Sequence, residues 1–92
     1  MMLQQNYPNP FNPSTTIRYT IAWSREHGVE SRETKIVVYD ILGREVATLV
    51  NEKKAPGDYE VRFDATGLAS GVYFYRLQTG SFVETKKLLL LR

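Results

Sequence analysis

The sequence predicts an all-β antiparallel sandwich of about six strands, on three observations. Runs rich in β-branched and aromatic residues alternate apolar with polar positions along most of the chain. Turn signals separate these runs at Asp40-Ile41-Leu42-Gly43, at Pro56-Gly57 and at Gly80. No segment reads as a helix, and short strands separated by turns point to two packed antiparallel sheets. The 92 residues make one small domain, and 42% apolar with 24% charged residues is the composition of a chain that folds. A domain of this size buries only roughly 60–65% of its unfolded surface, so the core is thin and a deep active-site cleft is not expected.

The first 14 residues read as a lead-in or linker, and residues 15–92 as the sandwich. Three of the four prolines, Pro8, Pro10 and Pro13, fall in the lead-in. Each fixes φ, removes a donor and drives its predecessor toward extended geometry, so this stretch is stiff and extended or turn-rich. Tyr7 and Phe11 are bulky for a linker, and one or both should pack onto the domain.

Ile17, Tyr19, Ile21 and Trp23 alternate with smaller or polar residues and predict a first strand with one buried face. Residues 24–33 are polar and charged and form a loop or hairpin tip holding His27 and Gly28. Residues 35–40 (Lys-Ile-Val-Val-Tyr-Asp) make a second strand. Asp40 and Gly43 occupy the preferred ends of a type I turn. Residues 44–50 return as a partner strand, although Glu-Val-Ala-Thr-Leu also passes for a helical turn.

Residues 51–58 read as a charged stretch closing in a Pro-Gly turn. Tyr59, Val61 and Phe63 then line one face of a fourth strand. In the loop of residues 65–71, Leu68 is the one large apolar group and plugs an end of the core. Tyr73, Tyr75 and Leu77 line one face of a fifth strand, with Val72 and Phe74 on the other. Residues 81–91 pair back as the sixth.

The composition excludes several chemistries. With no cysteine there is no disulfide, no zinc–thiolate site and no thiol nucleophile. His27 is the single histidine and reads as a solvated loop residue. A net charge of +2 is too small to argue for a nucleic-acid partner, despite a pI of about 9.0. Asp40, Asp58 and Asp64 lack the dense spacing of a calcium loop and are better explained by a turn and by strand ends. Neither Ser14-Thr15-Thr16 nor Ser70 has a histidine to activate it. Gly67 and Gly71 do not open a helix and make no phosphate cradle. No metal, cofactor or small-molecule substrate is expected. Six tyrosines and Trp23 could form a sugar platform, but alternating aromatics are better read as core filling. The start of the chain has no secretory signal, and its longest apolar run, Leu88 to Leu91, is far short of the about 20 residues of a membrane helix. The abrupt start reads as a domain cut from a larger protein, whose own N-terminus lies elsewhere.

The last seven residues, Lys86-Lys87-Leu88-Leu89-Leu90-Leu91-Arg92, hold three cations, no acid and four consecutive leucines. Alternation buries only half of those leucines if one sheet face is solvated. An exposed edge of this kind recruits a partner strand. A final strand buried on both faces fits equally well, and the residues leave both readings open.

Four motifs follow in order: residues 7–14 (Tyr-Pro-Asn-Pro-Phe-Asn-Pro-Ser), residues 38–46 (Val-Tyr-Asp-Ile-Leu-Gly-Arg-Glu-Val), residues 67–77 (Gly-Leu-Ala-Ser-Gly-Val-Tyr-Phe-Tyr-Arg-Leu) and the basic, leucine-rich terminus. In this order the chain closely resembles the type A C-terminal sorting domain of the type IX secretion system, a family overlapping with the immunoglobulin-like domain of the flagellar hook-capping protein. The resemblance implies an immunoglobulin-like sandwich of about six to seven strands without catalytic activity. It implies cargo domains N-terminal to it, passage through the periplasm, and recognition by outer-membrane secretion machinery. At the cell surface a sortase-like protease would remove the domain, and the cargo would be released or attached there. It also implies that recognition, or the fold presenting it, rests on Gly71 and Tyr73 of the Gly-x-Tyr motif and on Lys86, Lys87, Leu88, Leu89, Leu90, Leu91 and Arg92. Residues 24–33 are longer and more charged than the family's usual turn, which should leave the fold unchanged. The other reading of the residues is a structural or carbohydrate-binding module of a secreted enzyme, with Trp23 or Tyr7 meeting the glycan.

Overall fold

A computed structural model describes residues 1–26 and 28–92, so the reading of His27 falls outside the described residues. Seven strands follow in order: β1 (Met2–Leu3), β2 (Ser14–Ile21), β3 (Arg32–Tyr39), β4 (Glu45–Lys54), β5 (Gly57–Asp64), β6 (Gly71–Thr79) and β7 (Phe82–Leu90). They form two antiparallel sheets, ordered β1-β2-β5 and β4-β3-β6-β7, in an immunoglobulin-like sandwich without helix among the described residues.

Period-two alternation decides which side chains enter the space between the sheets. Ile17, Tyr19 and Ile21 from β2 meet Ile36 and Val38 from β3, Tyr73, Tyr75 and Leu77 from β6, and Leu88 and Leu90 from β7. Leu68 is half-buried and packs against this core. Trp23 does not follow the alternation predicted for it: β2 ends at Ile21, and the indole is 62% exposed. The turn after β3 is as expected. The Gly43 N–H donates to the Asp40 carbonyl at 3.0 Å, and Asp40 Oδ1 accepts the N–H groups of Leu42 and Arg44. Gly43 sits at φ 82, the left-handed position that a type I turn with a bulge requires in a hairpin. These donors, with the Arg44 guanidinium, hold the Asp40 carboxyl below the usual carboxylate range.

Residues 51–54 are strand rather than loop. Lys35 pairs with Asn51 and Arg32 with Lys54, so β4 runs to Lys54 and the turn is confined to Ala55 and Pro56. The charges are those of an edge strand, where outward polar side chains deter pairing with another chain. Beyond the turn the chain changes sheet. Tyr59 Oη donates to the Ala55 carbonyl at 2.7 Å, and its ring stacks on Tyr19 at 5.4 Å.

The stretch before β2 crosses from one sheet to the other. Met2 and Leu3 pair with Thr20 and Tyr19, and the Tyr7 main chain exchanges hydrogen bonds with Thr16, all on the three-stranded side. Four residues later, Phe11 pairs in parallel with Leu90 of the four-stranded sheet. Its ring is buried and tilted on Phe63 at 6.0 Å, whereas Tyr7 is 81% exposed. The peptide bonds preceding Pro8, Pro10 and Pro13 are all cis.

A buried polar cluster holds this crossing in place. Asn6 is buried, and its side-chain amide donates to the Pro8 carbonyl and to Thr15 Oγ1. Tyr75 Oη accepts the Asn6 N–H at 2.8 Å and donates to the Gln4 carbonyl at 2.7 Å. Tyr75→Phe strands both main-chain groups and is expected to cost about 1–3 kcal/mol, measurable by urea denaturation. Burial pushes the Tyr75 phenol up to about 12 and raises that of Tyr19 as well. A folded-state value above the unfolded one gives stability that is complete below pH 10 and declines from there to about pH 12. Alkaline unfolding is therefore expected in that window, and removing the Tyr75 hydroxyl should flatten it.

Candidate functional site

The two motifs singled out for recognition form one structural unit. Gly71 lies opposite Leu90, Tyr73 opposite Leu88, and Tyr75 opposite Lys86 across the β6–β7 ladder. Gly71 opens β6 at φ 150, and no atom lies within 4 Å of where its Cβ would stand. Glycine is therefore required by the backbone there and not by crowding. Tyr73 is buried in the core, and its hydroxyl donates to the Ala69 carbonyl at 2.7 Å. This closes the loop that leads into the strand.

The leucine run divides by parity. Leu88 and Leu90 are fully buried between the sheets, Leu89 is half-buried on the outer face, and Leu91 is 50% exposed. Lys87 is exposed on the outer face. Lys86 points the other way and is half-buried, with Nζ 3.6 Å from Glu84 Oε2. Arg92 is tied to the loop before β6. Its main-chain N–H donates to Ser70 Oγ, Nε to the Leu68 carbonyl at 2.6 Å, and a terminal nitrogen to the Ala65 carbonyl at 2.8 Å.

β7 is an edge strand, but only part of its edge is open. Its odd-numbered residues turn their main-chain groups away from β6, and the N-terminal crossing covers the later ones. Gln5 Nε2 donates to the Lys87 carbonyl at 2.7 Å, and the Leu89 N–H donates to Asn9 Oδ1 at 3.0 Å. Phe11 donates its N–H to the Leu89 carbonyl and accepts the Leu91 N–H, both at 3.0 Å. Earlier on the strand, Glu84 Oε1 accepts the Leu3 N–H at 3.2 Å. Among the described residues no strand or bridge pairs with the outer edge of residues 82–86. Neither sequence reading of the terminal strand anticipates this arrangement, which is buried leucines together with an edge half covered from within the chain. Gln5, Asn9 and Phe11 are the residues sequence reasoning missed as parts of the site. The bulk of Phe11 was the one available signal.

Comparison with known families decides what this edge belongs to. The family model described as the secretion system C-terminal sorting domain matches residues 5–91. The chain belongs to that family. The match begins at Gln5 and so takes in the N-terminal crossing as well as the sandwich. No curated protein matches the chain. Membership makes this sorting domain a C-terminal signal for type IX secretion, attached to a larger cargo protein, engaging secretion machinery and bound for the cell surface or the outside. Domains of this kind are generally non-catalytic.

Proposed function

We propose that this domain is the non-catalytic label by which the type IX system moves a larger protein across the outer membrane. Residues 1–14 are the lead-in that joins preceding cargo to the sandwich of residues 15–92, and this lead-in itself adds β1 to the three-stranded sheet and Phe11 to the core. The cargo reaches the periplasm by a separate signal, and the folded label is then engaged by outer-membrane machinery. A sortase-like protease at the surface removes the label, leaving the cargo released or attached there. The family match across residues 5–91 carries this reading.

Recognition in this proposal falls on the terminal strand. Lys86, Lys87, Leu89 and Leu91 offer accessible side-chain surface there. Gly71, Tyr73, Leu88, Leu90 and Arg92 hold it in place through the contacts described above. An open strand edge binds an added strand through main-chain hydrogen bonds, while alternate side chains give specificity. The uncovered main-chain groups of Val83 and Thr85 lie beside the two lysines and suit that mode.

Lys86→Ala with Lys87→Ala tests the assignment. Neither side chain is in the core, so thermal unfolding should move little, by about 0.5 kcal/mol or less. Export of an attached reporter should fall sharply. Unchanged export would remove the two lysines from the recognition surface.

A further inference from the structure

The outer face of the four-stranded sheet carries a second surface, centred on β3 and β6 and meeting the terminal strand at Thr85. Arg76 on β6 lies in an open cleft of about 380 Å³ bordered by Tyr39, Asp40, Ile41, Phe74 and Thr85. Its guanidinium carbon lies over the Tyr39 ring, 4.8 Å from the centroid, and a terminal nitrogen donates to Tyr39 Oη at 2.5 Å. One terminal nitrogen is committed to the phenol. Arg76 is half-buried and lines the cleft. No carboxylate among the described residues pairs with Arg76. Asp40, at the rim, is already occupied by the Leu42 and Arg44 N–H groups and by the Arg44 guanidinium at 2.8 Å.

The apolar border is unusual for a hairpin tip. Ile41 and Leu42 are 70% and 72% exposed, and Ile41 borders the cleft together with the half-buried Phe74. Turn tips are ordinarily polar, and Asp40 and Gly43 already satisfy what this turn needs. The exposed Ile41 and the half-buried Phe74, beside an arginine with no carboxylate partner among the described residues, match a ligand that is anionic at one point and apolar around it. A preorganised guanidinium fork suits a planar carboxylate, which it binds through two parallel hydrogen bonds. A single cation gives little hold on a multiply charged phosphate. Exposed aliphatics favour an apolar side chain over a hydroxyl-rich sugar.

We propose that this cleft binds a peptide segment of a partner protein in which an acidic residue stands beside a large apolar one. The contact gives the domain a second docking point, which adjoins the terminal strand at Thr85.

The test is a titration of the isotopically labelled 92-residue chain, followed by amide chemical shifts. The probes are blocked tripeptides, acetyl-Leu-Glu-Phe-amide and acetyl-Leu-Gln-Phe-amide. The glutamate peptide should shift the amides of Tyr39 to Arg44, of Phe74 to Arg76 and of Thr85. The glutamine peptide, or Arg76→Gln, should weaken binding about tenfold or more through loss of the charged pair. Ile41→Ser with Leu42→Ser alters the exposed tip alone and should also weaken it. The same spectra show whether each variant is folded. Absence of shifts at the cleft into the millimolar range, or equal binding of both peptides, overturns the proposal. So does a cleft response confined to inorganic phosphate or to vesicles of anionic lipid.

Discussion

Phe11→Ala is expected to destabilise the domain by about 3–5 kcal/mol, the range for truncating a buried phenylalanine. The ring is 2% exposed and fills the space between Phe63 and the end of β7. A domain of this size has little stability in reserve, so such a loss removes much of it. The main-chain bonds from Phe11 to Leu89 and Leu91 depend on the ring to hold them. Hydrogen exchange at Leu91, whose N–H donates to the Phe11 carbonyl, should rise before exchange in the β3–β6 centre of the sheet. Urea denaturation with exchange measured residue by residue checks both expectations. A loss of stability without selective exposure at this terminus would mean that the crossing does not guard the β7 edge.

Leu88→Ala together with Leu90→Ala is expected to abolish both folding and export. Each side chain is fully buried, and each truncation costs about 2–5 kcal/mol. The two sit on one strand in one core, so their effects need not add, but the lower bound for the pair already approaches the stability of a small domain. The comparison with Lys86→Ala and Lys87→Ala gives the result its meaning. The leucine pair should lose export because the strand is no longer presented. The lysine pair should lose it while circular dichroism and thermal unfolding stay close to the starting protein. If the leucine variant is exported normally despite unfolding, the label is read as a linear sequence, and the folded edge is irrelevant.

Much of the sandwich was legible because its strands are long relative to the period that reveals them. Tyr59, Val61 and Phe63, or Tyr73, Tyr75 and Leu77, repeat often enough for one face to be assigned from the sequence. Met2 and Leu3 are too few to show any period, and only pairing with Thr20 and Tyr19 makes them a strand. At Trp23 the alternation outlasts the hydrogen bonding, and pattern alone does not reveal where a ladder stops. Residues 51–54 fail for a different reason. An edge strand that avoids unwanted pairing carries the same charges as a solvated loop.

The candidate site shows the same division. Parity within Leu88 to Leu91 is local, and alternation correctly limits how many leucines can be buried. What covers the edge is not local. Gln5 and Asn9 reach Lys87 and Leu89 across the length of the chain, and nothing in their own neighbourhood marks them as partners. Arg92 belongs to the basic terminus in the sequence, and its contacts are as distant: its guanidinium donates to the carbonyls of Leu68 and Ala65.

The most direct test of the sorting role fuses residues 1–92 to the C-terminus of a periplasm-directed fluorescent protein, in a bacterium that possesses the type IX system. Fluorescence should appear at the surface or in the medium, and should disappear when the system is disabled. A folded fusion that stays in the periplasm of the intact strain would contradict the account.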